Sequence, residues 1–184
     1  MDAGVFFQSN ALMLEELIGD LIKIAAQADS ARPMADIYCG VGTFAFFLKE
    51  RFKRIDLVEE NKTALALARE NVRGEARGYF ALTDDAWVKG PAQRTGLGDE
   101  GYGLIVADPP RQGLSPGMRK WLGHPSGVTA LIAYVSCDPA TLARDSRELT
   151  AAGYELTELG LYDFYPQTAH IESLALFRKK GADE

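Results

Sequence analysis

Asp36-Ile37-Tyr38-Cys39-Gly40-Val41-Gly42-Thr43-Phe44 decides the fold of this chain. An apolar run, Met34 to Tyr38, reads as a strand, and a helical pattern from Thr43 to Phe52 follows directly after two glycines. Glycines at such a turn lack the Cβ atoms that keep a ligand away from the backbone. Arg54 to Glu59 reads as the next strand and ends in an acid 19 residues after Gly40. An acid at that place accepts ribose hydroxyls in nucleotide-type sites. The turn lacks the third glycine of the dinucleotide fingerprint, and Thr43 and Phe44 stand where a pyrophosphate needs small residues. An adenosyl ligand without phosphates fits better, S-adenosylmethionine rather than NAD, and no Gly-Lys-Ser/Thr run suggests ATP. The bland alternative is two glycines that serve only a tight turn.

Outward from the turn, the pattern alternates. Asn10 can cap a helix whose Leu14, Leu17, Ile18, Leu21, Ile22 and Ala25 fall on one face. Asn61 to Arg73 reads as an Asn-capped helix, Gly78 to Thr83 as a third strand, Pro91 to Gly103 as a Gly-rich polar loop and Leu104 to Ala107 as a fourth strand. A short helix follows from Ser115, then a strand from Thr129 to Val135, a helix from Pro139 to Ala152, and strands from Tyr154 to Asp163 and Ser173 to Phe177. Such alternation predicts an α/β, doubly wound and mostly parallel sheet. The final two strands have no helix between them, so they should pair antiparallel.

The chain has 184 residues, 47% hydrophobic and 25% charged, which fits one domain with a full core. No apolar stretch approaches the roughly 18 residues that cross a bilayer, and Met1-Asp2-Ala3-Gly4 lacks the basic start of a signal peptide, so a cytoplasmic protein is expected. Cys39 and Cys137 are too few for a disulfide framework, and with His124 and His170 they lack metal-ligand spacing. A net charge of −6 disfavours strong nonspecific binding to nucleic acid. One local exception is Arg111 to His124, with Arg111, Arg119 and Lys120 and no acid, which reads first as a solvated helix face.

Two further stretches carry chemistry. Cys137 lies in Tyr134-Val135-Ser136-Cys137-Asp138-Pro139, where a strand breaks into a helix start. A thiol at a strand's carboxyl end, beside a helix amino terminus, is a candidate nucleophile; a packed core cysteine is the alternative. Asp108-Pro109-Pro110-Arg111 ends the fourth strand, and its two prolines stiffen the backbone that carries the Asp108 carboxylate. Enzymes that methylate exocyclic amines end a related motif in an aromatic residue, and Arg111 in that slot weakens an amine reading.

Phe6-Phe7-Gln8, Asp36 to Gly42, Asp108 to Arg111, the twelve residues Tyr134 to Asp145, and His170-Ile171-Glu172 occur in one order. With these the chain resembles the RNA 5-methyluridine methyltransferases, from Phe6 to about Phe177. The resemblance implies a Rossmann-like class I fold, S-adenosylmethionine as cofactor, and a uridine in tRNA or rRNA as substrate, with no stable protein partner and no membrane. It implies cofactor contacts at Gln8, Tyr38, Thr43, Glu59 and Asp108, beside the turn glycines Gly40 and Gly42. An acid or amide after the third strand completes the adenine site, with Asp84 the choice and Asp85 the alternative. Cys137 matches the family nucleophile, and Glu172, 35 residues later, the general base. Asp108 is also expected to hydrogen-bond the uracil edge, and Arg111 to offset enolate charge.

Two departures from the family pattern carry expectations. Asp138 stands where relatives place Asn after the nucleophile, so its carboxylate should oppose thiolate formation at Cys137. Family members also carry an amino-terminal RNA-binding domain, so residues 1–184 are expected to be a catalytic-domain fragment with weak RNA affinity. Tyr38, Phe164 and Tyr165 are candidates for stacking, with core packing the alternative for each; His170 is a candidate to orient Glu172 or contact substrate, and Cys39 reads as a small buried residue. Rival readings are a methyltransferase acting on another nucleobase atom or a small molecule, and a non-catalytic module that binds the cofactor.

Overall fold

The computed structural model describes residues 10–95, 101–124, 129–168 and 170–181. Among them, seven strands form one sheet: β1 (Met34–Ile37), β2 (Ile55–Val58), β3 (Arg77–Phe80), β4 (Tyr102–Ala107), β5 (Thr129–Ser136), β6 (Tyr154–Tyr162) and β7 (Glu172–Lys179), in the order β3-β2-β1-β4-β5-β7-β6. The first five pair in parallel, and β7 runs antiparallel between β5 and β6. The sheet is doubly wound and Rossmann-like, with the order reversing at β1 and β4. Ligands bind at such a switch point.

The strands β1, β2 and β4 are buried at every position, as strands covered on both faces must be. One face carries α1 (Ala11–Ala26), α2 (Thr43–Leu48) and α3 (Lys62–Asn71), which contribute Leu17, Leu21, Leu48 and Leu65 to one core cluster. The other carries α4 (Asp84–Lys89), α5 (Pro91–Thr95), α6 (Pro116–Leu122) and α7 (Pro139–Ala151), with Trp87, Trp121, Leu142 and Leu149 in a second cluster. Helix starts follow the capping residues: Asn10, Asn61, Ser115 and Asp138 each accept an amide of the following turn.

The segment expected to be a polar loop differs. Pro91 opens α5, and β4 begins two residues before Leu104, at Tyr102. Just before it, Thr83 accepts the Ala86 amide and starts α4, whose Trp87 packs edge-on against Trp121 at 5.3 Å. Ile22 was expected on the apolar face of α1 but is 45% exposed, because α1 covers only one flank of the sheet and Ile24 takes the inward place. No helix among the described residues is long and apolar enough to cross a membrane.

Candidate active site

The turn after β1 is built from backbone that ordinary residues avoid. Tyr38, Gly40 and Gly42 have φ of 61°, 54° and 80°. The two glycines serve different ends. A Cβ on Gly40 would meet nothing within 4 Å, whereas one on Gly42 would meet Val72 Cγ2 at 3.0 Å and Ala68 Cβ at 3.2 Å. Gly40 therefore opens the backbone toward the cavity, and Gly42 lets α2 and α3 pack. Beneath the turn Asp36 is fully buried, its Oδ2 accepting the Ala45 amide at 3.0 Å while Oδ1 has no partner among the described residues. Burial, with the nearby Glu59 charge, pushes its carboxyl up to about 7.

A cavity of about 690 Å³ lies over the carboxyl ends of the strands. Tyr38, Gly40, Thr43 and Glu59 line one end, and Asp108, Arg111, Cys137 and Glu172 line the other. Glu59 is held by two amides, Gly40 N–H to Oε2 at 3.1 Å and Asn61 N–H to Oε1 at 2.7 Å. A carboxylate offers about four acceptor sites, so two remain for a ligand. Tyr38, Glu59, Glu60 and Pro110 border both this cavity and a smaller one of about 350 Å³, which Leu82, Asp84 and Ser115 also line. Asp84 Oδ2 accepts the Tyr38 hydroxyl at 2.5 Å and the Ser115 amide at 3.1 Å. Asp85 instead pairs with Lys89. Of the expected cofactor residues, Gly42 and Asp84 do not line the larger cavity, and Gln8 lies outside the described residues.

The reacting end depends on strand register. Ser136 of β5 pairs with Ser173 of β7 in antiparallel register, and Cys137 and Glu172 lie one step outward. A separation of 35 residues thus closes into one site, where both side chains line the same cavity and the Glu172 charge acts on the Cys137 thiol. Cys137 is half-buried, and its thiol is pushed up by burial, then by the Glu172 and Asp108 charges, against a downward pull from Arg111. Burial likewise raises Glu172, with Arg111 pulling it down. Asp108 rises to about 8 through burial and the Glu172 and Asp36 charges. Arg111 donates to His170 Nδ1 at 3.2 Å, so His170 holds the outer side of the site through Arg111, and no hydrogen bond to Glu172 is among its contacts.

The expectation for Asp138 changes. Its carboxylate turns onto its own helix, accepting the Thr141 amide at 2.8 Å, and that bond holds it below the usual carboxylate range. The charges that act most on the thiol come instead from Glu172 and Asp108. Within the basic stretch Arg111 and Lys120 are exposed, whereas Arg119 turns inward to Glu148, Asp145 and the Leu114 carbonyl. Phe164 belongs to the core at 2% exposure, while Tyr165 lines the larger cavity. Cys39 is buried, and burial raises its thiol.

Residues 93–180 match the tRNA (Uracil-5-)-methyltransferase family, and residues 11–115 match the methyltransferase small domain. An uncharacterized RNA methyltransferase of Treponema denticola is 40% identical over 190 residues, covering 95% of this chain and 45% of that protein. The 23S rRNA (uracil(1939)-C(5))-methyltransferase RlmD of Pseudomonas fluorescens is 37% identical over 175 residues, covering 95% of this chain and 38% of that protein. The chain thus spans less than half the length of these relatives. Among solved structures, the Pyrococcus abyssi tRNA (uracil-54, C5)-methyltransferase in complex with S-adenosyl-L-homocysteine superposes with a TM-score of 0.73 at 29% identity, over 95% of this chain and 40% of that one. By the match across residues 11–115, more than half of its length, this chain belongs to the methyltransferase small-domain family, and residues 93–180 make it similar to the tRNA (Uracil-5-)-methyltransferases.

Proposed function

We propose that this domain methylates carbon 5 of a uridine in tRNA or rRNA, using S-adenosylmethionine and a covalent bond between Cys137 and the base. The observation that carries the reading is that Cys137, one residue beyond β5, and Glu172, the first residue of β7, share the wall of the glycine-turn cavity. The residues present suit the cofactor. Gly40 leaves the backbone open to it, Glu59 is fixed to receive ribose hydroxyls, Thr43 and Asp108 line the same cavity, and Asp84 with Tyr38 lines the adjoining one. When bound, S-adenosylmethionine supplies the electrophilic methyl carbon and leaves as S-adenosylhomocysteine.

Carbon 5 of uracil is too poor a nucleophile to take that methyl unaided. The Cys137 thiolate adds to carbon 6, forming a carbon–sulfur bond and moving the ring's π pair toward carbon 5 as an enolate. Arg111, whose charge already favours the thiolate, offsets the enolate charge. Asp108, kept largely protonated at neutral pH, donates to an oxygen on the uracil edge. Once carbon 5 bears the methyl group, Glu172 removes its proton, the pair re-forms the double bond, and Cys137 leaves as thiolate. A carboxyl raised toward neutrality suits that task. The uridine must first leave its stack to reach the cavity.

Nucleoside mass spectrometry of unmodified tRNA and rRNA transcripts treated with the protein and S-adenosylmethionine tests this. The reading predicts 5-methyluridine that disappears with Cys137→Ala. Methylation at another atom, or 5-methyluridine formed undiminished by Cys137→Ala, would contradict it.

A further inference from the structure

Asp145 is fully buried in the middle of α7, about two turns after the nucleophile, yet nothing in the proposed chemistry uses it. Its carboxylate is the centre of a closed network. Oδ2 accepts the Tyr134 hydroxyl at 2.8 Å and the Leu114 amide at 2.9 Å, while Oδ1 meets Arg144 Nε at 2.8 Å and Arg119 Nη1 at 3.5 Å. Every one of these contacts bears on the loop after β4. Arg144 donates to the Gln112 carbonyl at 2.8 Å, and Arg119 donates to the Leu114 carbonyl. Gly113, at φ +75°, is so tightly enclosed that a Cβ would lie 2.6 Å from both Arg144 Nη2 and Asp145 Oδ2. Ser115 N–H, the next amide along, is taken by Asp84 at 3.1 Å.

Arg111 and Gln112 are the two central residues of a turn closed by Gly113 N–H to the Pro110 carbonyl at 2.7 Å. Two prolines before this turn have no amide hydrogen to anchor it. Upstream it is anchored at Asp108, whose amide donates to the Ile37 carbonyl at 3.2 Å, and downstream Asp145 and its two arginines hold it. We infer that Asp145 is a positioning residue for the proposed reaction: from the helix that carries the nucleophile it fixes the loop after β4, and so sets the exposed Arg111 beside Cys137 and Glu172. The inference rests on the proposed function only for why that placement matters.

The thiol reports the placement without RNA or cofactor. The titratable and charged groups that face it are Glu172 from β7 and Asp108 and Arg111 from the β4 loop, with Asp138 turned to its own helix. Iodoacetamide labelling of Cys137 is followed across pH by peptide mass spectrometry, on protein shown to be folded by near-ultraviolet circular dichroism. Asp145→Asn should slow labelling near neutral pH by about threefold or more, the change that half a pKa unit produces, and should shift the profile upward. Arg111→Gln should do the same, and the double variant should be no slower than Arg111→Gln alone. Where Asp145→Asn does not fold, Gly113→Ala and Tyr134→Phe are judged by the same criterion. A folded variant with the parent's profile, or single effects that multiply in the double variant, would overturn the inference. Failure to methylate uridine would sink the proposed function and leave this test standing.

Discussion

Asp36→Asn should make the protein less sensitive to rising pH. Burial moves the Asp36 carboxyl from 3.8 to about 7. A shift of about three units corresponds to about 4 kcal/mol at about 1.4 kcal/mol per unit. The folded value is raised, so the native state holds a proton that the unfolded chain releases. Its contribution is fully present below about pH 4 and is lost as pH climbs through about 7. Between about pH 5 and about pH 8 the loss is roughly 2–3 kcal/mol. Asparagine cannot ionise, and its side-chain oxygen can still accept the Ala45 amide that Asp36 now takes. Urea unfolding of parent and variant at several pH values gives the difference directly. The variant should gain on the parent by about 2–3 kcal/mol from about pH 5 to about pH 8. A gap that stays constant across that range would refute the reasoning.

Gly42→Ala should lower stability by about 2 kcal/mol or more in thermal unfolding, since the added methyl meets α3 and the φ is left-handed. Gly40→Ala should cost only about 1 kcal/mol of backbone strain yet weaken S-adenosylmethionine binding in calorimetry, because its methyl enters the cavity. Glu172→Gln removes the leading charge against the thiol, so Cys137 labelling near neutral pH should accelerate while release of methylated RNA stops, with covalent enzyme–RNA accumulating on denaturing gels. Asp138→Asn should leave the labelling profile close to the parent's, because either side chain caps α7.

The alternation of strands and helices, the caps and the glycine turn were legible because each is written in neighbouring residues. Helix α4 is written locally too: Thr83 as cap, Asp84 and Asp85 in the first turn and Lys89 in the last are ordinary helix signals. Other features had no local mark. That Gly42 faces α3 while Gly40 faces open space depends on where Ala68 and Val72 pack. That Arg119 turns inward depends on Asp145 and Glu148, which lie more than twenty residues away. The family pattern marked Cys137 and Glu172, but only the register of β5 with β7 brings the two together.

RNA bearing 5-fluorouridine reports whether Cys137 bonds to the uracil ring. Fluorine at carbon 5 denies Glu172 a proton to remove, so the adduct is trapped after methyl transfer. With S-adenosylmethionine present, mass spectrometry should find the RNA and one methyl group attached to the peptide that contains Cys137, and nothing attached in Cys137→Ala. A bond to another residue, or methylation of carbon 5 in normal RNA by Cys137→Ala, would contradict the account.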